Sequence, residues 1–335
     1  MKILFFLLLV FLSLFSTVVF FALTFSASSR QRKKARLYKG ELDRTQTVSL
    51  EGIESIEIQR FTEDVYFVES EQQELVISEY KSLKAFQIDY TEAIIEGNRL
   101  MIYGVDSGSR NTKKYYRRSE IGIPASYKGR ITVSVTNGNI YSDINLNLAQ
   151  FKAASESGDI HLEEVVAEDI NITTRNGLVT VAKAEGNRCV RSESGYLKIS
   201  SGSGDSDVES VSGGISLLNT LGLVKVTTVS GGVLITSKKG GASIHSGTGR
   251  LDYTLQEITD SVSLTSESGD IMVYLNDRDC YCFKATSENG IINTYFNQQE
   301  SHNARGRQVI QEVGENPAYV LEIASTSGDI TVNRY

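Results

Sequence analysis

Proline and tryptophan are the scarcest residues of this chain, which has two prolines and no tryptophan in 335 positions. Glycine occurs 28 times, and serine, threonine, valine and isoleucine are abundant. β-branched residues favour strands, whereas glycine and serine favour tight turns. The composition therefore predicts many short strands joined by tight turns, and long helices are not expected outside the N-terminus.

Cysteine and histidine are also rare, with three residues of each. The cysteine count is odd, and the single residue between Cys280 and Cys282 gives poor geometry for a disulfide between them. His161 lies far along the chain from His245 and His302, which argues against a zinc-binding histidine cluster. Neither a disulfide framework nor a zinc site is expected.

The net charge of −7 hides an uneven distribution. Six basic residues crowd one short segment near the N-terminus: Arg30, Arg32, Lys33, Lys34, Arg36 and Lys39. The rest of the chain is distinctly acidic and would repel phosphate backbones, so a nucleic-acid partner is not expected.

The N-terminus carries a long uncharged stretch, the 23 residues from Ile3 to Phe25. About 20 apolar residues span a bilayer as a helix, so residues 3–25 predict a lipid-bilayer contact within a transmembrane signal-anchor of residues 1–28, followed by a basic juxtamembrane segment of residues 29–41. A cleaved signal peptide is the alternative, with small residues at Ser26, Ala27 and Ser28.

Glycines recur along the remaining chain at a nearly constant spacing of 18 to 21 residues, with one double period. They are Gly138, Gly158, Gly177, Gly195, Gly213, Gly231, Gly249, Gly269, Gly290 and Gly328. An aliphatic residue stands two positions after each glycine, and a second apolar residue stands five positions before it, as at Ile215 and Val208 around Gly213. Apolar residues two apart indicate strands with one buried face, so each period contributes two strands.

This repeat predicts an all-β fold, a single-chain right-handed parallel β-solenoid (β-helix) with about 18–21 residues per coil and ~4.8 Å between coils. The glycines are expected to supply positive φ at tight corners. Ile215 is expected inside and Ser216 outside. Residues 42–130 predict irregular coils that cap the rod, residues 131–335 the regular solenoid, and residues 297–317 a loop.

Several short motifs resemble a bacterial family of adhesin-like envelope proteins, the toast-rack β-strand-repeat family. They are Asp64-Val-Tyr-Phe-Val68, Ile121-Gly-Ile-Pro124, the repeated Ser-Gly-Asp-Ile corners and Ser325-Thr-Ser-Gly-Asp-Ile-Thr-Val332. The chain departs from the family at Gly314-Glu-Asn-Pro317, where a glycine-rich turn is usual. The resemblance implies a parallel β-solenoid, often tethered to a membrane and sometimes associated with responses to envelope stress, with no catalytic residue to carry over.

The carboxylates of the repeated corners do not predict an active site. Asp159 and Asp270 would lie roughly 29 Å apart at ~4.8 Å per coil, whereas working carboxylate pairs lie ~5 to 9.5 Å apart. These residues and Asp329 are interpreted as corner formers. Asp159 and His161 share an outward face, but the predicted neighbours of His161 are Tyr141 and Thr180, which supply no nucleophile or metal ligand. No cofactor is predicted.

One basic and aromatic segment is a possible contact loop, for an acidic polymer or for lipid. Its residues are Lys113, Lys114, Tyr115, Tyr116, Arg117 and Arg118. The alternative is a solvated loop between irregular coils.

Three functions remain open on the sequence. The first is a non-catalytic, membrane-anchored, adhesin-like envelope protein that offers a binding, spacing or stress-signalling surface to an envelope polymer or protein. The second is a polysaccharide-active β-helix enzyme, and the third is a self-assembling β-solenoid scaffold. The resemblance places the body outside the cytoplasm, whereas the positive-inside rule applied to the six basic residues places it inside. The final coil is expected to be an open contact surface, unless residues 297–317 cap it.

Overall fold

The computed structural model describes residues 40–334, apart from residue 61 and the ranges 82–89, 105–116, 277–278, 296–299 and 304–305. Every regular element in these ranges is a β-strand. No helix in the described ranges has the length and apolarity needed to cross a bilayer. The predicted anchor and the basic juxtamembrane segment up to Lys39 lie outside the described residues.

The described strands number 27. The N-terminal strands are β1 (Glu41–Val48), β2 (Ser55–Arg60), β3 (Asp64–Ser70), β4 (Leu75–Lys81), β5 (Glu92–Glu96), β6 (Arg99–Tyr103), β7 (Arg117–Pro124), β8 (Arg130–Val135) and β9 (Ile140–Asn147). The central strands are β10 (Gln150–Ser155), β11 (Ile160–Asn176), β12 (Val179–Ser194), β13 (Leu197–Ile199), β14 (Gly202–Ser203), β15 (Ser206–Ser212), β16 (Ile215–Leu221), β17 (Val224–Ser230), β18 (Val233–Thr248), β19 (Leu251–Leu255) and β20 (Ile258–Ser266). The C-terminal strands are β21 (Ile271–Leu275), β22 (Tyr281–Ser287), β23 (Ile292–Thr294), β24 (Glu300–Asn303), β25 (Gly306–Val313), β26 (Tyr319–Ser325) and β27 (Ile330–Arg334).

The strands stack into two parallel ladders that share a core, as a solenoid requires. The first ladder runs through β2, β8, β10, the second half of β11, the second half of β12, β15, β17, the second half of β18, and β20. The second ladder runs through β3, β9, the first half of β11, the first half of β12, β13, β16, the first half of β18, β19 and β21. Each coil therefore gives one strand to each ladder, as the repeat predicted.

The apolar repeat fills the space between the ladders. All ten residues two positions after the corner glycines and all ten residues five positions before them are buried, and none is more than 3% exposed. Ile215 is inside, as predicted. Ser216 was predicted to be outside but is 0% exposed. Its register neighbours are Lys198 and Leu234, and a short side chain between two long ones is covered by them.

The corner glycines are needed mainly for close approach between coils. A Cβ at nine of the ten positions, from Gly158 onward, would overlap the carbonyl oxygen of the glycine in a neighbouring coil. The prediction of positive φ holds at Gly195, Gly213, Gly231 and Gly249. It is wrong at Gly138, Gly158, Gly177, Gly269, Gly290 and Gly328. At Gly269, Gly290 and Gly328 the turn is instead closed by a serine hydroxyl three residues earlier, which accepts a hydrogen bond from the glycine N–H.

Aspartate and asparagine side chains join the corners of successive coils, which supports their interpretation as corner formers. The Asp64 carboxylate accepts a hydrogen bond from the Asn139 backbone N–H at 2.9 Å, and the Asn139 side chain accepts one from the Asp159 N–H at 2.8 Å. The Asp159 carboxylate in turn accepts one from the Leu178 N–H at 2.9 Å. The first Ser-Gly-Asp-Ile corner therefore carries its own link to the next coil.

The first coil of the chain, β2 and β3, is not the end of the rod. It lies between the coil of β6 and β7 on one side and the coil of β8 and β9 on the other. Three antiparallel strands lie beyond it, with β5 against β6, β4 against β7 and β1 against β4. Residues 42–130 therefore combine one coil in register with the regular repeat and one end coil with antiparallel cap strands.

The last coil of the chain, β26 and β27, is inserted in the same way. It lies between the coil of β20 and β21 and the coil of β22 and β23. The expectation that the chain terminus forms an open final coil is therefore wrong. The segment predicted to be a loop contains β24 and β25, and β25 pairs antiparallel with β22 at the end of the first ladder. The alternative, that residues 297–317 cap the end, describes this arrangement better.

Candidate functional site

A groove of about 750 Å³ lies on the outer face of the first ladder. It lies beside the glycine corners and crosses the strands from β2 to β17. Its lining residues are Gln59, Arg60, Ser134, Val135, Thr136, Ala154, Ser155, Glu156, Thr173, Thr174, Arg175, Arg191, Ser192, Glu193, Glu209, Ser210, Val211, Thr227 and Val229. We call this set the outer groove.

The outer groove follows from the side chains that stand four positions before successive glycines. Ser134, Ala154 and Thr173 are neighbours in register, and all three are small. Arg191 and Glu209 continue the same column with larger side chains. A row of small outward residues between larger ones leaves a depression. At ~4.8 Å per coil, the groove is roughly 29 Å long and runs parallel to the rod axis.

Two ion pairs join neighbouring coils along the outer groove. Arg191 donates from Nε and Nη2 to the two carboxylate oxygens of Glu209, each at 3.1 Å. This hydrogen bonding to Glu209 raises the pKa of Arg191 above its ordinary value. Arg175 Nε lies 3.2 Å from Glu193 Oε2. The groove therefore presents positively charged hydrogen-bond donors and negatively charged acceptors.

One end of the outer groove is apolar. Val211 and Val229 are 54% and 62% exposed, and they stand in the column two positions before successive glycines. Val135 lines the other end and is 4% exposed. The groove thus combines hydroxyl and charged groups with aliphatic surface.

Only the last two residues of the predicted contact loop belong to the described part of the chain. Lys113, Lys114, Tyr115 and Tyr116 lie outside the described residues. Arg117 and Arg118 open strand β7 and are not part of a loop. The side chain of Arg117 is 4% exposed, and its Nε lies 2.9 Å from Glu63. The alternation of a strand turns the first arginine into the core and the second one outward.

Arg117 belongs to a buried network of charges at the N-terminal end of the rod. Arg60 Nε lies 3.4 Å from the same Glu63 carboxylate. Lys81 Nζ lies 3.8 Å from Glu79, and Thr91 donates to Glu79 from its hydroxyl at 2.6 Å. Burial lowers the pKa values of Arg60 and Lys81, since it disfavours their charged forms. These groups join cap strands to coils, and their burial makes them structural.

Arg118 holds one end of an outward stack of rings on the second ladder. Its guanidinium carbon lies 4.3 Å from the Tyr80 ring centroid and 5.1 Å from that of Tyr66. Tyr66 stacks on Tyr141 at 4.7 Å, and Tyr141 lies 6.4 Å from His161. The predicted register of His161 beside Tyr141 and Thr180 is confirmed. Arg118 and Tyr141 cover opposite sides of Tyr66, so the stack joins coils and offers no free face of that ring to a ligand.

Chemistry of other kinds is sparse in the described ranges. No group of three or more His, Cys, Asp or Glu side chains there is arranged to hold a metal ion. Cys189, Cys280 and Cys282 are free thiols. The outer groove was not predicted, because its lining residues stand before the corner glycines on the first ladder, whereas Ser216 and His161 stand after them on the second. The columns four and two positions before each glycine contain the signal.

The chain is similar to several solved structures, three of which follow. A candidate cell adhesion protein from Clostridium sporogenes is 13% identical, with 87% of this chain and 98% of that chain covered at a TM-score of 0.25. A candidate adhesin from Bacteroides fragilis is 14% identical, with 87% and 96% covered and a TM-score of 0.31. A candidate lipid-binding protein from Parabacteroides distasonis is 13% identical, with 86% and 96% covered and a TM-score of 0.35.

No curated protein matches the chain. A family model, in contrast, matches it twice in succession, over residues 53–222 and 219–333. Together these matches cover the inserted first coil, the regular repeat and the inserted last coil. The chain belongs to the Toastrack DUF4097 family.

Proposed function

We propose that this chain is a non-catalytic, adhesin-like envelope protein, tethered to the bilayer through residues 3–25, which holds an extended envelope polysaccharide in the outer groove. The observation that carries the proposal is the groove itself, which crosses seven stacked coils and so accommodates several units of a polymer. The Toastrack fold and the adhesin-named neighbours are consistent with a binding role.

The orientation of the outer groove favours a polymer that is recognised through its substituents. Because the groove runs across the strands, a ligand within it meets side chains and no free strand edge, which disfavours peptide recognition by strand addition. Arg191 and Glu209 neutralise each other, as do Arg175 and Glu193. Such pairs, together with Thr173 and neighbouring hydroxyls, match a hydroxyl-rich polymer better than a highly charged one.

The same ion pairs support a non-catalytic role. Glu193 and Glu209 are two of the three carboxylates that line the groove, and each is bound to an arginine. A carboxylate that acts as a general acid or base must reach the ligand, whereas these two carboxylates are held by guanidinium groups. A ligand in the cell envelope also requires that the body lies outside the cytoplasm. The positive charge of residues 30–39 favours the opposite orientation under the positive-inside rule. Protease digestion of the body in intact cells, with lysed cells as the control, tests this side of the membrane.

Groove binding is tested with the full chain in lipid nanodiscs and purified cell-wall polysaccharide as the probe. Thr173→Trp would fill the groove, and Thr180→Trp places the same side chain outward on the second ladder of the next coil. We expect at least tenfold weaker binding for Thr173→Trp and unchanged binding for Thr180→Trp. Equal binding by the two variants would mean that the polysaccharide does not occupy the outer groove. Accumulation of shortened saccharides in the wild-type sample would favour the enzyme alternative.

A further inference from the structure

The N-terminal end of the rod exposes apolar side chains on its outermost strands. Among the described strands, β5 pairs only with β6 and β1 pairs only with β4. Ile94 and Ile95 on β5 are 40% and 52% exposed, and Leu42 on β1 is 55% exposed. These three residues are the N-terminal apolar edge.

Ile95 shows that the core itself is uncovered at this end. Residues two apart in a strand share a face, so Ile95 lies on the same face of β5 as Ala93. Ala93 packs against the core, and Leu100, the register partner of Ile95, is fully buried. Ile95 nevertheless leaves half of its surface in solvent. Within the described residues, an inward-facing isoleucine with this exposure lacks the layer that covers its equivalents elsewhere in the rod.

The two outer strands are joined where they begin. Arg44 on β1 donates from Nη1 to the carbonyl oxygen of Thr91 at 3.4 Å, and its guanidinium carbon lies 5.2 Å from the Tyr90 ring centroid. Thr91 immediately precedes β5. The edge therefore belongs to one connected end surface.

The chain before β1 identifies what could cover this surface. Only 15 residues, 26–40, separate the uncharged stretch ending at Phe25 from Glu41. Fifteen residues reach at most about 54 Å even when fully extended. A body tethered by so short a linker has its N-terminal end held near the bilayer. The basic residues of the linker also offset the exposed acidic side chains Glu92 and Glu96 and attract anionic headgroups.

We propose that the N-terminal apolar edge is seated in the bilayer interface, with Leu42, Ile94 and Ile95 entering the boundary between headgroups and acyl chains. This inference rests on the anchoring proposed above. Three apolar side chains are enough because the contact is intramolecular: a short linker holds the body at an effective concentration near the millimolar range. The rod then stands on the membrane, and the outer groove runs along the rod axis from near the bilayer outward.

The absence of tryptophan from the chain makes the test direct. Ile95→Trp and Leu42→Trp place a single fluorophore on the edge, and Ile310→Trp places it at an exposed site on β25 at the opposite end, where Ile310 is 61% exposed. The full-length variants are reconstituted at low density in phosphatidylcholine and phosphatidylglycerol vesicles that carry nitroxide-labelled lipid. Flotation of the vesicles reports anchoring independently.

We expect lipid nitroxide to quench the Ile95→Trp and Leu42→Trp fluorescence at least twofold, and to leave Ile310→Trp unchanged. Flotation with both edge tryptophans open to aqueous iodide and unquenched by lipid would overturn the seating and leave the anchoring intact. Protection from iodide without quenching by lipid would assign the edge to a second copy of the chain and also overturn the proposal. Equal quenching at both ends would mean that the rod lies on its side. Loss of flotation would overturn both the anchoring and the seating.

Discussion

The carboxylate of Asp329 accepts a hydrogen bond from the backbone N–H of Ile291 at 2.8 Å, although Ile291 stands 38 residues earlier in the chain. The N–H of Asp329 donates in turn to the carboxylate of Asp270 at 3.0 Å. The last coil in the sequence therefore lies between two coils that stand earlier in the sequence. It continues the hydrogen-bonded corner links from one of them to the other. At the other end of the rod, β2 and β3 are inserted in the same manner, so both outermost coils come from inside the sequence.

This insertion predicts an unusually severe effect of a C-terminal truncation. Deleting residues 319–335 would leave β20 and β22 without their shared partner and would open the core between them. We expect loss of cooperative unfolding and rapid proteolysis of residues 281–294, measured by thermal melting and limited digestion of the full-length and truncated proteins. Thr331→Ala, which shortens a side chain between the inward positions of β27, is the control and should melt like the wild type. A truncated protein with an unchanged melting temperature would contradict the inserted topology.

Two consecutive glycines provide a matched test of the corner column. Gly231 has φ of +124°, and a Cβ there would overlap the Gly213 carbonyl oxygen. Gly232 has no such φ, and a Cβ there would meet only the Arg250 carbonyl oxygen at 3.9 Å. We expect Gly231→Ala to destabilise the fold by about 3 kcal/mol or more and Gly232→Ala to be within about 1 kcal/mol of neutral, by chemical denaturation. Similar losses for both would show that the stacking of coils is looser than the structure indicates.

Much of this fold is predictable from the glycine and apolar periods, because each coil must repeat the same corner and the same inward positions. The order in which the coils stack along the rod cannot be predicted from these periods. Ile271 pairs with Ile330, and Ile330 pairs with Ile292, yet all three occupy the same place in the repeat. Interchangeable coils leave no mark of their order in the pattern.

The outer groove was not predicted for a related reason. Outward side chains such as Thr173 and Arg191 are not constrained by the core, so their sizes vary from coil to coil without a period. Arg117 was misplaced because a pair of arginines after tyrosines is typical of an exposed loop. Its burial depends on Glu63, which lies 54 positions earlier, and on the pairing of β3 with β7.

The buried guanidinium of Arg188 is expected to contribute strongly to the stability of the fold. It is 2% exposed and donates to the carbonyl oxygens of Ala184 at 2.8 Å and Ser203 at 3.2 Å. Burial lowers its pKa to about 10, and nearby Asp205 opposes the shift. We expect Arg188→Met to cost about 3 kcal/mol or more, since buried carbonyl groups lose their donor.

The matched control for that substitution is Arg175→Met, which removes an ion pair whose two side chains are 59% and 62% exposed. Such surface pairs contribute at most about 1 kcal/mol. Urea unfolding of the two variants measures the difference. A loss at Arg188 no greater than that at Arg175 would mean that water replaces the guanidinium without cost.

Replacing the Asp64 carboxylate by a neutral side chain is expected to stabilise the fold by an amount that depends on pH. Burial raises its pKa, despite hydrogen bonds from the Asn139 N–H and Nδ2 groups and the attraction of Arg118, which lower it. The ionised carboxylate therefore disfavours folding above the raised pKa. This penalty shrinks as the pH falls from the raised pKa towards the ordinary pKa of an aspartate, and it is absent below the latter. Asp64→Asn keeps a side-chain oxygen for both donors, each at 2.9 Å, and carries no charge.

We therefore expect Asp64→Asn to melt above the wild type at pH 7 and the difference to shrink on acidification. The sign follows from proton uptake, because between the unfolded and folded pKa values the folded wild type binds more protons than the unfolded chain. Its stability must then rise as the pH falls, whereas the asparagine variant has no such gain at this position. Asp143→Asn, an exposed change on β9, controls for net charge. If Asp64→Asn instead melts below the wild type at pH 7, the attraction of Arg118 outweighs the burial of the carboxylate.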